Sequence, residues 1–240
     1  MIEAVGFDFD HTLGFDHRLE RTVALELGRD FARSRHAGFD DEQGAAFDAA
    51  IARYRGGGAP FGPAMTHYFR FALASARPSE EDVAALIGAF KSESLRRAPE
   101  FVRPGPGAEA MLAAVAALGL PTAILTNGWS PLQEEKARLV GFSGTVLASD
   151  AIGARKPEHE AFALLARALD TPIDRIAYVG DDPAVDVAGA ARAGMAAIWL
   201  DAENLAYPPD LAPPTARIGT LAELVPWLQG PLAQAANPPA

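Results

Sequence analysis

Val5-Gly6-Phe7-Asp8-Phe9-Asp10-His11-Thr12-Leu13 decides how the rest of this sequence is read. An apolar run with the character of a buried strand stops in two carboxylates, one residue apart. In an open α/β sheet, ligands bind in the crevice beyond the carboxyl ends of the strands. Asp is rarely buried unless it is paired or coordinates a metal, because desolvating a carboxylate is costly. Two of them at one strand end therefore point to a bound cation; a solvated Asp-rich turn is the competing reading of this segment taken alone. Side chains alternate along a strand, so residues 8 and 10 share a face and can address one ligand.

On the C-terminal side of this stretch the texture becomes helical. Positions 18–35, 40–54, 62–75 and 83–95 carry helical periodicity, and Ser79-Glu80-Glu81-Asp82 supplies a cap with acids in the first turn. From the Arg103-Pro104-Gly105-Pro106-Gly107 segment onward, strands and helices alternate. Strands are expected at 121–125, 145–148, 175–179, 196–200 and 216–218, with helices at 108–118, 131–140, 158–169, 183–193 and 221–228. That alternation predicts an α/β fold, a Rossmann-like doubly wound parallel sheet covered on both faces. The domain layout expected is a core of residues 1–14 and 100–230, an inserted four-helix unit at 15–99, and a loose tail at 231–240.

Composition narrows the class of partner. The 240 residues are 49% hydrophobic and 22% charged, with a net charge of −10 and no cysteine. The negative balance argues against a nucleic-acid polymer or an anionic membrane as partner, while leaving room for a small anion held by a local cation. The lack of cysteine excludes disulfides, thiol nucleophiles and thiolate metal sites. No apolar run reaches the length of a membrane span, and the N-terminus runs into the first strand without a signal peptide, so a cytoplasmic protein, monomer or homodimer, is expected.

Three further strand ends or loops carry polar groups. Thr126-Asn127-Gly128 offers a hydroxyl, an amide and close backbone approach, suited to a phosphate oxygen, although an ordinary turn reads the same way. In Arg155-Lys156-Pro157-Glu158, Pro157 is expected at the first position of a helix, with Lys156 extended before it as an aimed charge; a solvated surface lysine is the alternative. Gly180-Asp181-Asp182-Pro183-Ala184-Val185-Asp186 ends another buried run in acids. Asp182 fits a helix N-cap, leaving Asp181 and Asp186 for chemistry. Oxygen ligands from Asp8 and Asp181 suit Mg²⁺ if their strands are neighbours.

Taken together and in this order, Asp8-Phe9-Asp10-His11-Thr12, Thr126, Lys156, and Asp181 with Asp186 resemble the haloacid dehalogenase-like (HAD) hydrolase superfamily. The helical insertion matches that family's cap in place and size. His11 departs from the family's commonest residue there, glycine, at a position that supplies no reacting side chain. The resemblance implies that Asp8 is a nucleophile forming an aspartyl-phosphate and that Asp10 is the general acid and base. It further implies Mg²⁺ held by the Asp8 side chain, the Asp10 carbonyl and Asp181, with Asp186 and Asp182 behind. Thr126, Asn127 and Lys156 would hold the phosphoryl group of a small phosphorylated metabolite. Dehalogenating members lack the second acid, so Asp10 favours phosphomonoester hydrolysis. A phosphomutase, a 2-haloacid dehalogenase and a non-catalytic phosphate-binding module are the alternatives.

The run Ile124-Leu125-Thr126-Asn127-Gly128, with Gln133, Lys136 and Gly141 following, looks like the branch containing pyrimidine 5′-nucleotidases and N-acylneuraminate-9-phosphatases. A nucleoside monophosphate or sugar phosphate is the substrate class this implies. Gly14, Phe15 and residues 103–107 are candidate hinges, and Trp129 is placed at the site entrance. In the insertion, Phe15, Arg55, His67, Tyr68, Arg70 and Phe71 are candidates to face substrate. Against that stands a blander reading, with Phe69 and Phe71 in the core and Arg55 and Arg70 on the solvated surface.

Overall fold

The computed structural model describes residues 1–40, 42–231 and 233. The chain divides into two compact units, Met1–Phe15 with Val102–Ala240, and Asp16–Phe101. In the first unit strand β1 (Ala4–Phe7) is followed by the two-residue strand β2 (Gly14–Phe15). The second unit then contributes helices α1 (Leu19–Ser34), α2 (Glu42–Arg55), α3 (Phe61–Ala72) and α4 (Glu80–Phe101). The first unit resumes with β3 (Arg103–Pro104), α5 (Ala108–Ala117), β4 (Thr122–Thr126), α6 (Leu132–Leu139) and β5 (Thr145–Ala148). It continues through α7 (Ser149–Ile152), α8 (His159–Ala168), β6 (Ile176–Gly180), α9 (Ala188–Ala193), β7 (Ala196–Leu200), β8 (Ala216–Ile218) and α10 (Leu224–Gln229).

The main sheet is six-stranded in the order β5-β4-β1-β6-β7-β8, with every pairing parallel. This is the Rossmann-like α/β fold that the alternation of strands and helices predicts. Every residue of β1, β6 and β7 is buried, which is why these strands read as continuous apolar runs rather than alternating ones. On one face Phe162, Leu165 and Ala166 of α8 pack with Leu125, Tyr178 and Trp199, and the Phe162 and Tyr178 rings meet edge to face at 5.2 Å. The order of strands matters most for the site. The chain leaves β1 for β4 on one side and returns through β6 on the other, so the ends of β4, β1 and β6 lie side by side at the point where the winding reverses.

The two expected hinge segments pair with each other. Gly14 lies opposite Pro104 and Phe15 opposite Arg103 in an antiparallel ribbon, and the Gly105 amide donates to the Leu13 carbonyl at 2.8 Å. Of the expected tail, residue 232 and residues 234–240 lie outside the described residues; Ala233 is buried and its carbonyl accepts from the Ile2 amide at 3.2 Å.

The helical unit has an aromatic interior. Phe47 meets Tyr68 edge to face at 5.2 Å, Tyr54 meets Phe61 at 5.4 Å, and Phe69 and Phe90 are fully buried. Phe71, expected in the core, is 61% exposed. The buried stripe of α3 runs through Phe61, Ala64, Met65, Tyr68, Phe69 and Ala72, and position 71 falls off that helical spacing. Arg55 pairs with buried Glu20 at 3.2 Å, and Arg70 pairs with Glu80. Helix α4 runs past the expected end through Pro99 to Phe101.

Candidate active site

Asp8 follows β1 directly, and its amide continues the ladder by donating to the Val179 carbonyl at 2.9 Å. The residue is 7% exposed because β4 and β6 flank it. The partner that makes this burial tolerable is Lys156, whose Nζ donates to Asp8 Oδ1 at 2.5 Å and to Asp186 Oδ1 at 2.7 Å. The ammonium also lies 5.6 Å from the centre of the Tyr178 ring, and the Tyr178 hydroxyl donates to the Leu125 carbonyl at 3.0 Å. A buried ammonium is sustained by such pairing. The surface reading of Lys156 is therefore set aside.

Lys156 is aimed by a route the sequence does not announce. The Asn127 side chain donates through Nδ2 to the Lys156 carbonyl at 2.7 Å and accepts from the Lys156 amide through Oδ1 at 2.9 Å. The side chain expected to touch phosphate is thus engaged at both ends in holding the lysine backbone. Pro157 also differs from its expected place. Helix α8 begins at His159 with Glu158 as its N-cap, so the proline stands before the cap, and the Lys156–Pro157 peptide is cis.

At the end of β6 the acids separate by role. Asp182 caps the following turn, its Oδ1 accepting from the amides of Ala184 and Val185 at 2.8 and 2.9 Å. Asp186 folds back against the strand and accepts from the Asp182 amide through Oδ2 at 3.1 Å. This return depends on Gly180, because a Cβ there would lie 2.4 Å from Asp186 Cβ. The Asp181 carbonyl accepts from Trp199 Nε1 at 2.9 Å, and Thr12 Oγ1 lies 3.4 Å from Asp181 Oδ1. Beside Asp181 opens a cavity of about 390 Å³ lined in part by His11, Phe15, Trp199 and Leu205. His11 has φ 62°, in the left-handed region that glycine occupies without penalty and His tolerates better than most residues.

Helix α6 supplies two buried polar groups, Gln133 and Lys136, to which the sequence attaches a resemblance but no role. Gln133 is buried, its Oε1 3.4 Å from Thr126 Oγ1, and its Nε2 has no hydrogen-bond partner among the described residues. Gly128 makes room for it, since a Cβ there would lie 2.2 Å from Gln133 Nε2. Lys136 is fully buried, and its Nζ donates to Asp10 Oδ1 at 2.5 Å. Their one mark in the sequence is positional: both polar residues stand on the face of α6 that buries Leu132 and Ala137. Trp129, expected at the entrance, is 1% exposed and so packs inside.

The electrostatics follow from several acids sharing few cations. Burial pushes the Asp8 carboxyl up to about 7 against the pull of Lys156, with Asp186 and Asp10 adding to the rise. Asp181 rises to about 6 through burial and the nearby Asp8, opposed by His11. Burial alone would lower Lys156, but Asp186 and Asp8 outweigh it and carry the ammonium well above its usual range. Ligand oxygens of Asp8, Asp181 and Asp186 lie within 4.8 Å of one another. Three carboxylates against one ammonium leave an excess of negative charge, and a donor set made of oxygen alone fits a hard divalent cation.

The haloacid dehalogenase-like hydrolase family profile matches residues 2–194. A phosphoserine phosphatase from Thermus thermophilus is 36% identical over 90% of this chain and 95% of its own length. The pyrimidine 5′-nucleotidase YjjG of Escherichia coli is 33% identical over 52% of this chain and 56% of its own. Among solved structures, a 2-haloacid dehalogenase from Pseudomonas syringae superposes with a TM-score of 0.73 at 24% identity, covering 95% of this chain and 98% of its own, a likeness of fold. With its profile match and its paired acids at the central strand end, the chain belongs to the haloacid dehalogenase-like hydrolases, and it is an enzyme.

Proposed function

We propose that this enzyme is a Mg²⁺-dependent phosphomonoester hydrolase that works through an aspartyl-phosphate on Asp8. Its substrate class is a small phosphorylated metabolite, a nucleoside monophosphate or sugar phosphate. The observation that carries the reading is the placement of two acids with different partners at one strand end: Asp8 on Lys156 and Asp10 on Lys136. The named activities of the Thermus thermophilus and Escherichia coli relatives, a phosphoserine phosphatase and a pyrimidine 5′-nucleotidase, support the same class. No helix among the described residues is long and apolar enough to cross a membrane.

In the first half-reaction an Asp8 oxygen attacks phosphorus, the bond from phosphorus to the ester oxygen breaks, and Asp10 gives its proton to that leaving oxygen. In the second, water attacks the phosphorus of the acyl phosphate and loses a proton to Asp10. The bond to Asp8 then breaks and inorganic phosphate departs. Lys156 and Thr126 offset and orient the charge on the phosphoryl oxygens, and such positioning supplies most of the catalysis in phosphoryl transfer. Asp8, Asp181 and the Asp10 carbonyl, with Asp186 behind, are the groups that would hold Mg²⁺, which would supply further positive charge to the same oxygens. Asn127 acts by fixing Lys156, and the Asp182 side chain by capping the turn that carries Asp186. The helical unit Asp16–Phe101 is assigned the selection of the leaving group.

A dehalogenase has no use for the proton that Asp10 delivers, since halide departs unprotonated. The test is a panel of p-nitrophenyl phosphate, nucleoside monophosphates, sugar phosphates, phosphoserine and 2-haloacids, with and without Mg²⁺. Phosphate release that requires Mg²⁺ supports the reading; halide release without added metal, or binding with no turnover, contradicts it.

A further inference from the structure

Lys136 is the buried charged group outside the expected motif set that lies nearest the chemistry. Helix α6 begins six residues after the end of β4, and its inward face carries Gln133, Lys136 and Ala137 on a helical spacing, with Val140 just beyond its end. Lys136 is 0% exposed, its Nζ is 2.5 Å from Asp10 Oδ1, and the ammonium lies 4.9 Å from the centre of the Phe9 ring. The Asp10 side chain keeps 22% of its surface exposed. One carboxyl oxygen is therefore anchored to a rigid helix while the side chain still borders open space. Desolvating a lysine is costly, and an apolar residue of that length would fill the same position. The place of its charge, on the acid that must exchange a proton, calls for a reason beyond packing.

We propose that Lys136 is a positioning residue for Asp10. Its ammonium fixes the plane of the Asp10 carboxyl group, so that the group faces the ester oxygen in the first half-reaction and the attacking water in the second. Lys136 itself gives up no proton; the proton that reaches the leaving oxygen comes from Asp10. This rests on the phosphatase reading and adds to it a residue on which leaving-group protonation depends. The role is specific in one respect: a poor alkoxide leaving group needs the proton, whereas p-nitrophenolate departs well without it. Losing the position of Asp10 therefore harms alkyl esters selectively.

The experiment compares kcat/KM of the wild type, Lys136→Met and Lys136→Arg on glycerol phosphate and on p-nitrophenyl phosphate. That constant reports the steps up to transfer onto Asp8, where the leaving group departs. Expected for Lys136→Met is a loss of about 10–100-fold on the alkyl ester, the range typical of groups that orient a reacting residue, and a much smaller loss on the aryl ester. Adding Asp10→Asn should cost no more than Asp10→Asn alone, because residues acting as a unit are not additive. Equal losses on the two esters, or additive losses in the double variant, overturn the proposal. If Lys136→Met fails to fold, Lys136→Arg keeps the charge and displaces it; the same selectivity for the alkyl ester is expected, and equal loss again overturns the role. A wild type that hydrolyses neither ester removes the phosphatase reading itself, which separates that failure from this one.

Discussion

The Asn127 side chain holds both backbone polar groups of Lys156, its Nδ2 donating to the carbonyl at 2.7 Å and its Oδ1 accepting from the amide at 2.9 Å. Two loops from different strands are thereby locked in register, and the lysine that meets Asp8 is carried by one of them. Asn127→Ala leaves both backbone groups to find other partners. The expected outcome is a fall in kcat/KM of about 10–100-fold and a lowered unfolding midpoint, read by steady-state kinetics and thermal melts. A variant with normal activity would show that Lys156 is aimed by something else.

Gly180 tests the return of Asp186 to the strand end. A Cβ at that position would lie 2.4 Å from Asp186 Cβ and 2.6 Å from its Oδ2, inside any ordinary contact. Gly180→Ala must displace Asp186, which is tied to Lys156, and overpacking of this kind costs about 1–3 kcal/mol. Denaturant unfolding should show that loss together with reduced phosphatase activity. Unchanged stability would contradict the packing described.

The shifts of Asp8 to about 7 and Asp181 to about 6 give the metal a pH signature. Both groups hold a proton in the fold at pH values where the unfolded chain has released it, so their contribution to metal-free stability is complete below about pH 4 and is lost as pH rises through 6 and 7. A divalent cation needs the carboxylate form and so replaces those protons. The rise in unfolding temperature on adding Mg²⁺ is therefore expected to be larger at about pH 8 than at about pH 5. An equal or larger rise at the lower pH would mean that these acids do not hold the ion.

How much was legible in the sequence depended on whether the cause was local. The buried strands β1, β6 and β7 announce themselves because both faces are covered and the apolar runs are unbroken. Asp182 declares its capping role through the proline that follows it. The neighbourhood of Asp8 and Lys156 is a product of strand order, across 148 positions of sequence, and spacing alone cannot supply it; the resemblance implies only that both address one phosphoryl group. Lys136 has no role legible in the sequence because a lysine on a helix ordinarily faces solvent, and only the packing of α6 onto the strand ends turns it inward. Phe71 departs from its expected place for the opposite reason: an aromatic residue ordinarily packs inside, and this one, a place off the buried stripe of α3, points outward.

The central claim is that phosphate passes through a covalent bond to Asp8. Acid quenching during turnover of p-nitrophenyl phosphate with Mg²⁺, followed by digestion and mass analysis, reads this directly. The wild type should carry a phosphoryl group on the peptide containing Asp8, at higher occupancy in Asp10→Asn if loss of the base slows the second half-reaction more than the first. Asp8→Asn should carry none and should lose turnover. A fully active Asp8→Asn enzyme, or a phosphoryl group trapped on another residue, would contradict the account.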